Sequence, residues 1–429
     1  MALLRRAVVA LSLALVAAAA IVDDVTRLTF STTAGGQPGL QIAGPSAPPT
    51  IQLSANEFPG AVRAANDLAA DFGRVIGTKA SIGNAATLSE IGQNPAIIVG
   101  TVGSSKIIDA LVASKQLDVS PIVGKWESYV SQVVADASGK PTALVIAGSD
   151  MRGTIFGIYD VSEQIGVSPW YWWADVPAKK RQYIFAPTSS KIRGPPTVKY
   201  RGFFLNDEAP ALSGWAKANY PTSQYGNAFN SDFYSKVFEL ILRLKGNYLL
   251  PAEWSGMFYV DDTKSGPLAD QYGVFMGTSH TEPMARAEKE QGRFCSGAWD
   301  WSKNKGNVQK FMTEGVQRSK SWATVYTMGM RGSGDAASPT LTSKSLEEVI
   351  KFQQSTLQSV LGKNLSNIPQ SWGLYKVGRF DVPMMSQVLT CRRKFPDTGK
   401  RAWMWAKTLR CCGPTIIAAT SGGSRRPRS

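Results

Sequence analysis

Histidine and cysteine are scarce in this chain: one His and 4 Cys among 429 residues. A lone His280, with no Cys at ligand spacing beside it, provides no metal-binding set, so neither a metal nor a cofactor is expected. Three of the four cysteines, Cys391, Cys411 and Cys412, lie in the last 53 residues, leaving only Cys295 before them. Disulfides are therefore not the framework of the body. Charged residues make up 18% of the chain against 43% hydrophobic, which excludes a disordered protein and leaves room for two or three domains, each with its own core. Mean hydropathy is −0.12. The only long uncharged apolar run is at the N-terminus, which excludes a multi-span membrane protein.

What is plentiful is positive charge, at a net +15. Its position decides its meaning. From Val377 onward eleven Lys and Arg face only Asp381 and Asp397, a net of +9. The body is close to balanced, and a nucleic-acid partner argued from charge alone is not expected of it. At the other end, Arg5 and Arg6 precede an apolar stretch from Ala7 to Val16 and then small residues from Ala17 to Ala20. This pattern reads as a secretory signal over 1–20, because Asp23 and Asp24 end the run too early for a membrane anchor. A secreted, extracellular product with no membrane partner is the resulting expectation. The sequon Asn364-Leu365-Ser366 is compatible with that route.

Residues 21–194 read as a mixed α/β, sandwich-like domain. Ile51–Ser54, Ala96–Gly100, Tyr129–Ala135 and Ala143–Ala147 are strand-like. Helical spacing runs through Val62, Ala65, Leu68, Ala69, Phe72 and Val75, through Ile107 to Val112, and through Ile155, Ile158, Tyr159 and Val161. Such alternation predicts a mostly parallel sheet covered on both faces. Trp170-Tyr171-Trp172-Trp173 is either a stacking platform for sugar rings or a packed seam between domains. Pro187, Pro195 and Pro196 mark a linker.

From 195 to 376 strand-like runs alternate with helices in a way that predicts a (β/α) barrel. The runs are Val198–Leu205, Asn247–Leu250, Gly273–Gly277, Ala323–Met328 and Ser371–Tyr375. Ser231 is the expected N-cap of the first long helix and Gly246 its terminator. Five strands are fewer than eight, so the expected fold is an incomplete (β/α)8 TIM-type barrel with an open sheet edge. Strand ends are where barrel enzymes hold their chemistry, and here they carry Asp207, Glu208, Trp254, His280, Glu282, Arg331 and Asp335. Asp207, Glu208, Glu282 and Asp335 are carboxylates available for glycosidic acid/base work. His280 either contacts a sugar or carboxylate or plays a structural loop role. Arg331 either clamps a substrate carboxylate bidentately or forms an ordinary salt bridge with Asp335 or a neighbouring acid.

The segments Arg201–Leu212, Leu244–Ala252, Met276–Met284 and Gly329–Gly332, with Gly148–Thr154 and Ser168–Pro177 before them, resemble glycoside hydrolase family 115, the xylan α-1,2-glucuronidases. The resemblance covers about Ile51 to Lys376. It implies an N-terminal α/β domain, a (β/α)8 catalytic barrel, and inverting removal of (4-O-methyl)glucuronic acid from glucuronoxylan or its oligosaccharides. By that resemblance Asp207 and Asp335 are the catalytic carboxylates. Glu208, Trp254, His280, Glu282 and Arg331 are substrate-binding residues on the same reading. It also allows a homodimer of the full-length family member. A non-catalytic carbohydrate-binding protein is the alternative.

Beyond Lys376 the family pattern stops. Read one base out of frame, Arg410 to Arg425 can spell the family's missing text, and Val377, Leu389-Thr390 and Cys391-Arg392 can supply an intron's donor, branch and acceptor sites. The segment 377–429 is thus expected to be an aberrant tail: a retained intron over 377–392, then frame-shifted sequence over 393–429, with no reason to pack. On this reading the product is truncated.

Overall fold

The computed structural model describes residues 27–374, except 36, 46, 47, 88, 89, 91–95 and 137, together with the strand 415–419. The expected signal over 1–20 and most of the expected tail lie outside the described residues. The chain divides into two compact units, one of residues 1–199 with 242–246, the other of 200–241 with 247–429.

In the first unit, β1 (Thr29–Ser31), β2 (Leu40–Ala43) and β8 (Tyr183–Ala186) form a small antiparallel sheet. The main sheet contains β3 (Thr50–Ser54), β4 (Ser81–Ala85), β5 (Ala96–Thr101), β6 (Tyr129–Ala135), β7 (Pro141–Gly148) and β9 (Lys191–Arg193), in the order β4-β3-β5-β7-β6-β9. The β4-β3-β5-β7 pairs are parallel, and β6 is antiparallel to both of its neighbours.

Helix α1 (Pro59–Ile76) starts with Pro at its first position and buries Ala61, Ala64, Ala65, Leu68, Phe72 and Val75. It packs against α3 (Met151–Ile165), whose N-cap Asp150 accepts from the Gly153 amide at 2.8 Å. Between them in sequence, α2 (Lys106–Ala113) places Ile107, Ile108 and Leu111 in a core with Ile98, Val130, Val134 and Val145 of the sheet. This is the mostly parallel, two-sided sheet that the alternating pattern predicts. Of the aromatic cluster, Tyr171, Trp172 and Trp173 are half-buried and only Trp170 is exposed. The Arg74 guanidinium lies 4.3 Å from the Tyr171 ring, and Trp172 meets Trp173 edge-on at 4.8 Å.

The second unit is a run of parallel strands taken in chain order. β10 (Gly202–Phe204), β11 (Tyr248–Leu250) and β12 (Phe275–Met276) pair side by side. Met276 bridges in parallel to Thr324, just ahead of β13 (Tyr326–Thr327), which pairs with β14 (Gln370–Leu374). The helices between them are α4 (Leu212–Asn219) and α5 (Ser231–Arg243), then α6 (Phe258–Asp261) and α7 (Ser265–Tyr272). They are followed by α8 (Glu288–Phe294), α9 (Lys305–Ser319) and α10 (Ser343–Leu361). Helix α5 packs Phe233, Tyr234, Val237, Phe238 and Ile241 inward. Asn230, one residue before the expected Ser231, is its cap, because Asn230 Oδ1 accepts from the Phe233 amide at 3.0 Å.

The strands are shorter than the strand-like runs predict. Only the residues that reach a neighbour's ladder count, and the register Gly202↔Tyr248 to Phe204↔Leu250 joins three pairs. Within the tail expected not to pack, Thr415–Ala419 forms β15, parallel to β14. The β-branched run Thr415-Ile416-Ile417 suits a strand, and β14 offers its ladder on that side.

Candidate active site

The C-terminal ends of β10 to β13 are tied to one another by buried acids. Asp207, after β10, is 1% exposed. Its Oδ1 accepts from the amides of Glu253 at 3.1 Å and Trp254 at 3.0 Å, and its Oδ2 from the Ser255 amide at 2.8 Å and hydroxyl at 2.6 Å. Four donors fill the carboxylate. It thereby fixes the loop after β11 and holds Trp254, which is 43% exposed. Glu208 next to it is exposed and shares none of these bonds.

The loop after β12 carries His280. Its Nδ1 lies 3.0 Å from Ser279 Oγ and its Nε2 lies 2.9 Å from Asp335 Oδ1. Asp335 ends a 3-10 turn after β13 and is buried. Arg331 places Nε 2.7 Å from Asp335 Oδ1, with that N–H not aimed along the contact, and donates from Nη2 to the Asp335 carbonyl at 2.8 Å. Trp299 Nε1 donates to the Arg331 carbonyl at 2.8 Å. Of the two readings of Arg331, the pairing with Asp335 is present in the structure.

Two glycines make room for this arrangement. A Cβ on Gly373 of β14 would come 2.9 Å from His280 Cβ, and one on Gly277 would come 2.1 Å from the Tyr248 hydroxyl. Backbone strain collects in the same loops. Asp335 has φ +59°, and Met284 and Ala285 have φ +60° and +57°. Non-glycine residues hold such angles only where surrounding contacts enforce them, and such positions cluster at functional sites.

Glu282 and Glu253 are both buried. Glu282 accepts from the Ser279 amide at 3.1 Å and the Glu288 amide at 3.0 Å, while the Thr281 hydroxyl donates to Glu253. Burial raises both carboxyls above the ordinary Glu value, and the charge of Glu253 pushes Glu282 up further. Glu288 extends the linkage, its Oε1 accepting from the Gly334 amide. Neither Glu253 nor Glu288 is among the residues singled out from the sequence. Glu253 follows β11 directly, so the strand-end rule that selects Asp207 and Glu282 also selects it. Glu288 carries no such signal, because it opens a helix.

The structure thus joins Asp207, Trp254, His280, Glu282, Arg331 and Asp335 through strand-end loops and leaves Glu208 apart. Chemically, the cluster offers a carboxylate against an imidazole and a guanidinium, beside two carboxyls that hold protons above the usual range. Residues 193–379 match the family model for glycosyl hydrolase family 115. They belong to glycoside hydrolase family 115. A solved family 115 4-O-methyl-α-glucuronidase with specificity for decorated arabinogalactans is similar over 79% of this chain at 30% identity and a TM-score of 0.70. The chain spans 43% of that structure's length. A family 138 enzyme targeting pectin rhamnogalacturonan II matches over 86% of this chain and 48% of its own, at 11% identity and a TM-score of 0.47, too weak a likeness to argue from. A search of curated proteins returns no match.

Proposed function

We propose that this family 115 segment serves a glycoside hydrolase that removes (4-O-methyl)glucuronic acid linked α-1,2 to xylan, with glucuronoxylan or its oligosaccharides as substrate. The observation that carries the reading is the His280-Asp335-Arg331 constellation at the ends of consecutive parallel strands inside the family match. We read β10 to β15, in chain order and parallel, as an arc of the (β/α)8 barrel, whose strand ends are the usual place for such a site.

In this proposal a uronic acid carboxylate faces the donor side of the cluster, the Arg331 guanidinium and the His280 imidazole, with the charge-assisted hydrogen bond coming from Arg331. Asp335 is the carboxylate placed for acid/base work. Asp207, filled by loop donors, holds Trp254 for the sugar. An inverting reaction needs a second carboxylate about 6.5–9.5 Å across the glycosidic bond to activate water.

The experiment is incubation of the chain with glucuronoxylan, following released 4-O-methylglucuronic acid by chromatography and its first-formed anomer by proton NMR. The β anomer supports inversion and the α anomer sinks it. Binding without release would replace the hydrolase with the carbohydrate-binding alternative, which the exposed Trp170 and Trp254 favour.

A further inference from the structure

Glu282 lies inside a loop that closes on it. One oxygen takes the amide of Ser279 and the other the amide of Glu288, so a single buried carboxyl gathers both ends of 279–288. The Thr278 hydroxyl adds a bond to the Glu282 carbonyl at 2.5 Å. Thr281, the residue before it, is tied by its hydroxyl to Glu253, on the loop after β11. His280 is carried within this closure and meets Asp335 across it.

We propose that Glu282, supported by Glu253, is the positioning residue that presents His280 to the substrate in one fixed orientation and tautomer. An ionised Asp335 can only accept, so Nε2 carries a hydrogen, and in the neutral imidazole Nδ1 is left as the acceptor facing Ser279 Oγ. Two acids out of water are costly where apolar residues would fill the same space, so a role that apolar residues could not perform accounts for them. Holding two backbone amides from the centre of a strained turn is such a role, since Met284 and Ala285 keep positive φ only if the loop is tethered on both sides. The raised proton affinity of the pair fits the same picture, because protonating either carboxyl lessens the repulsion between them. The inference rests on the proposed function only for what His280 faces.

His280 is the single histidine of the chain, so one 15N-histidine label in the intact protein reports one imidazole. The expected spectrum is that of the Nε2–H tautomer. Glu282→Gln puts an NH2 where one oxygen stood, so either Ser279 or Glu288 loses its acceptor. The imidazole should then interconvert between tautomers, and any turnover of glucuronoxylan should lose roughly ten- to hundred-fold in kcat with KM little changed.

A folded Glu282→Gln chain with the unaltered chain's imidazole signals overturns the proposal. Should that variant not fold, two measurements decide. Slow amide exchange at Ser279 and Glu288 in the unaltered chain, with a shifted imidazole in Thr281→Val, supports the role. Fast exchange, or an unshifted imidazole, overturns it. A fixed imidazole in a chain that leaves glucuronoxylan intact would sink the hydrolase reading and leave this one standing.

Discussion

Asp207 and Asp335 are both buried acids, yet their surroundings assign them different work. Asp207→Asn would turn an NH2 toward backbone amides that already point at it, leaving buried donors unpaired. Calorimetry should show the unfolding free energy falling by about 3 kcal/mol. Asp335→Asn keeps the shape and removes the charge beside His280 and Arg331. It should lower glucuronic acid release by about 10²- to 10⁴-fold while the melting temperature changes much less. The opposite pattern would exchange the two roles.

The pair Glu253 and Glu282 makes stability depend on pH. Both bind protons more tightly folded than unfolded, so their contribution is full below the ordinary value of 4.5 and is lost as pH rises through the raised folded values. Melting temperatures taken from about pH 4 upward should decline over that window. Glu253→Gln, which keeps an acceptor for Thr281 and removes the like charge, should flatten the decline; an unchanged slope would show that Glu253 does not bind its proton more tightly in the folded chain.

At the scale of elements, Gly277 is the tight point, since a methyl there enters the Tyr248 hydroxyl. Gly277→Ala should cost about 1–3 kcal/mol by displacing β11 from β12, read as a lower melting temperature. The 3-10 turn at 365–367 offers a test of the export route. Asn364 is exposed, and its Oδ1 accepts from the Ser366 hydroxyl at 3.0 Å. If 1–20 directs secretion, expression in a glycosylating secretory host should yield a mass increment that N-glycosidase removes and Asn364→Gln abolishes.

Elements were also what the sequence made most legible. Helix α10, Ser343–Leu361, is one of the helices expected between the strand-like runs, and the Thr342 hydroxyl caps it by accepting from the Ser345 amide at 3.2 Å. The parallel sheet of the first unit is the outcome of short apolar runs between amphipathic helices. Strand ends were harder, because Val198–Leu205 is strand-like for longer than the three residues that find partners. At the candidate site, Asp207, His280, Glu282, Arg331 and Asp335 were legible from their place after strands. Their bonds were not: the Arg331-Asp335 pairing and the saturation of Asp207 depend on backbone turns that no spacing rule encodes. Glu253 carries the same strand-end signal as Asp207 but stands beside the more conspicuous Trp254.

For the whole molecule, the segment that extends the sheet past β14 is β15. β15 pairs its full length with β14, from Gln370↔Thr415 to Leu374↔Ala419. If 377–392 is a retained intron, transcripts from the same gene should include a spliced form lacking it, in which the reading frame beyond changes. Sequencing the cDNA across codons 370 to 429 decides this, and a uniform unspliced transcript sinks the idea. The basic tail allows a further check, as a chain ending at Lys376 should lose any affinity for polyanions along with the excess charge.

The bonds of the rim run in one direction around the strands: Asp207 to the loop after β11, Glu253 to the loop after β12, His280 and Glu288 to the turn after β13. Each neighbour holds the next by its backbone or its charge. Grafting one such loop from a relative would therefore import a key without its lock. On the proposed function, changes of sugar preference should come as exchanges of adjacent loops together.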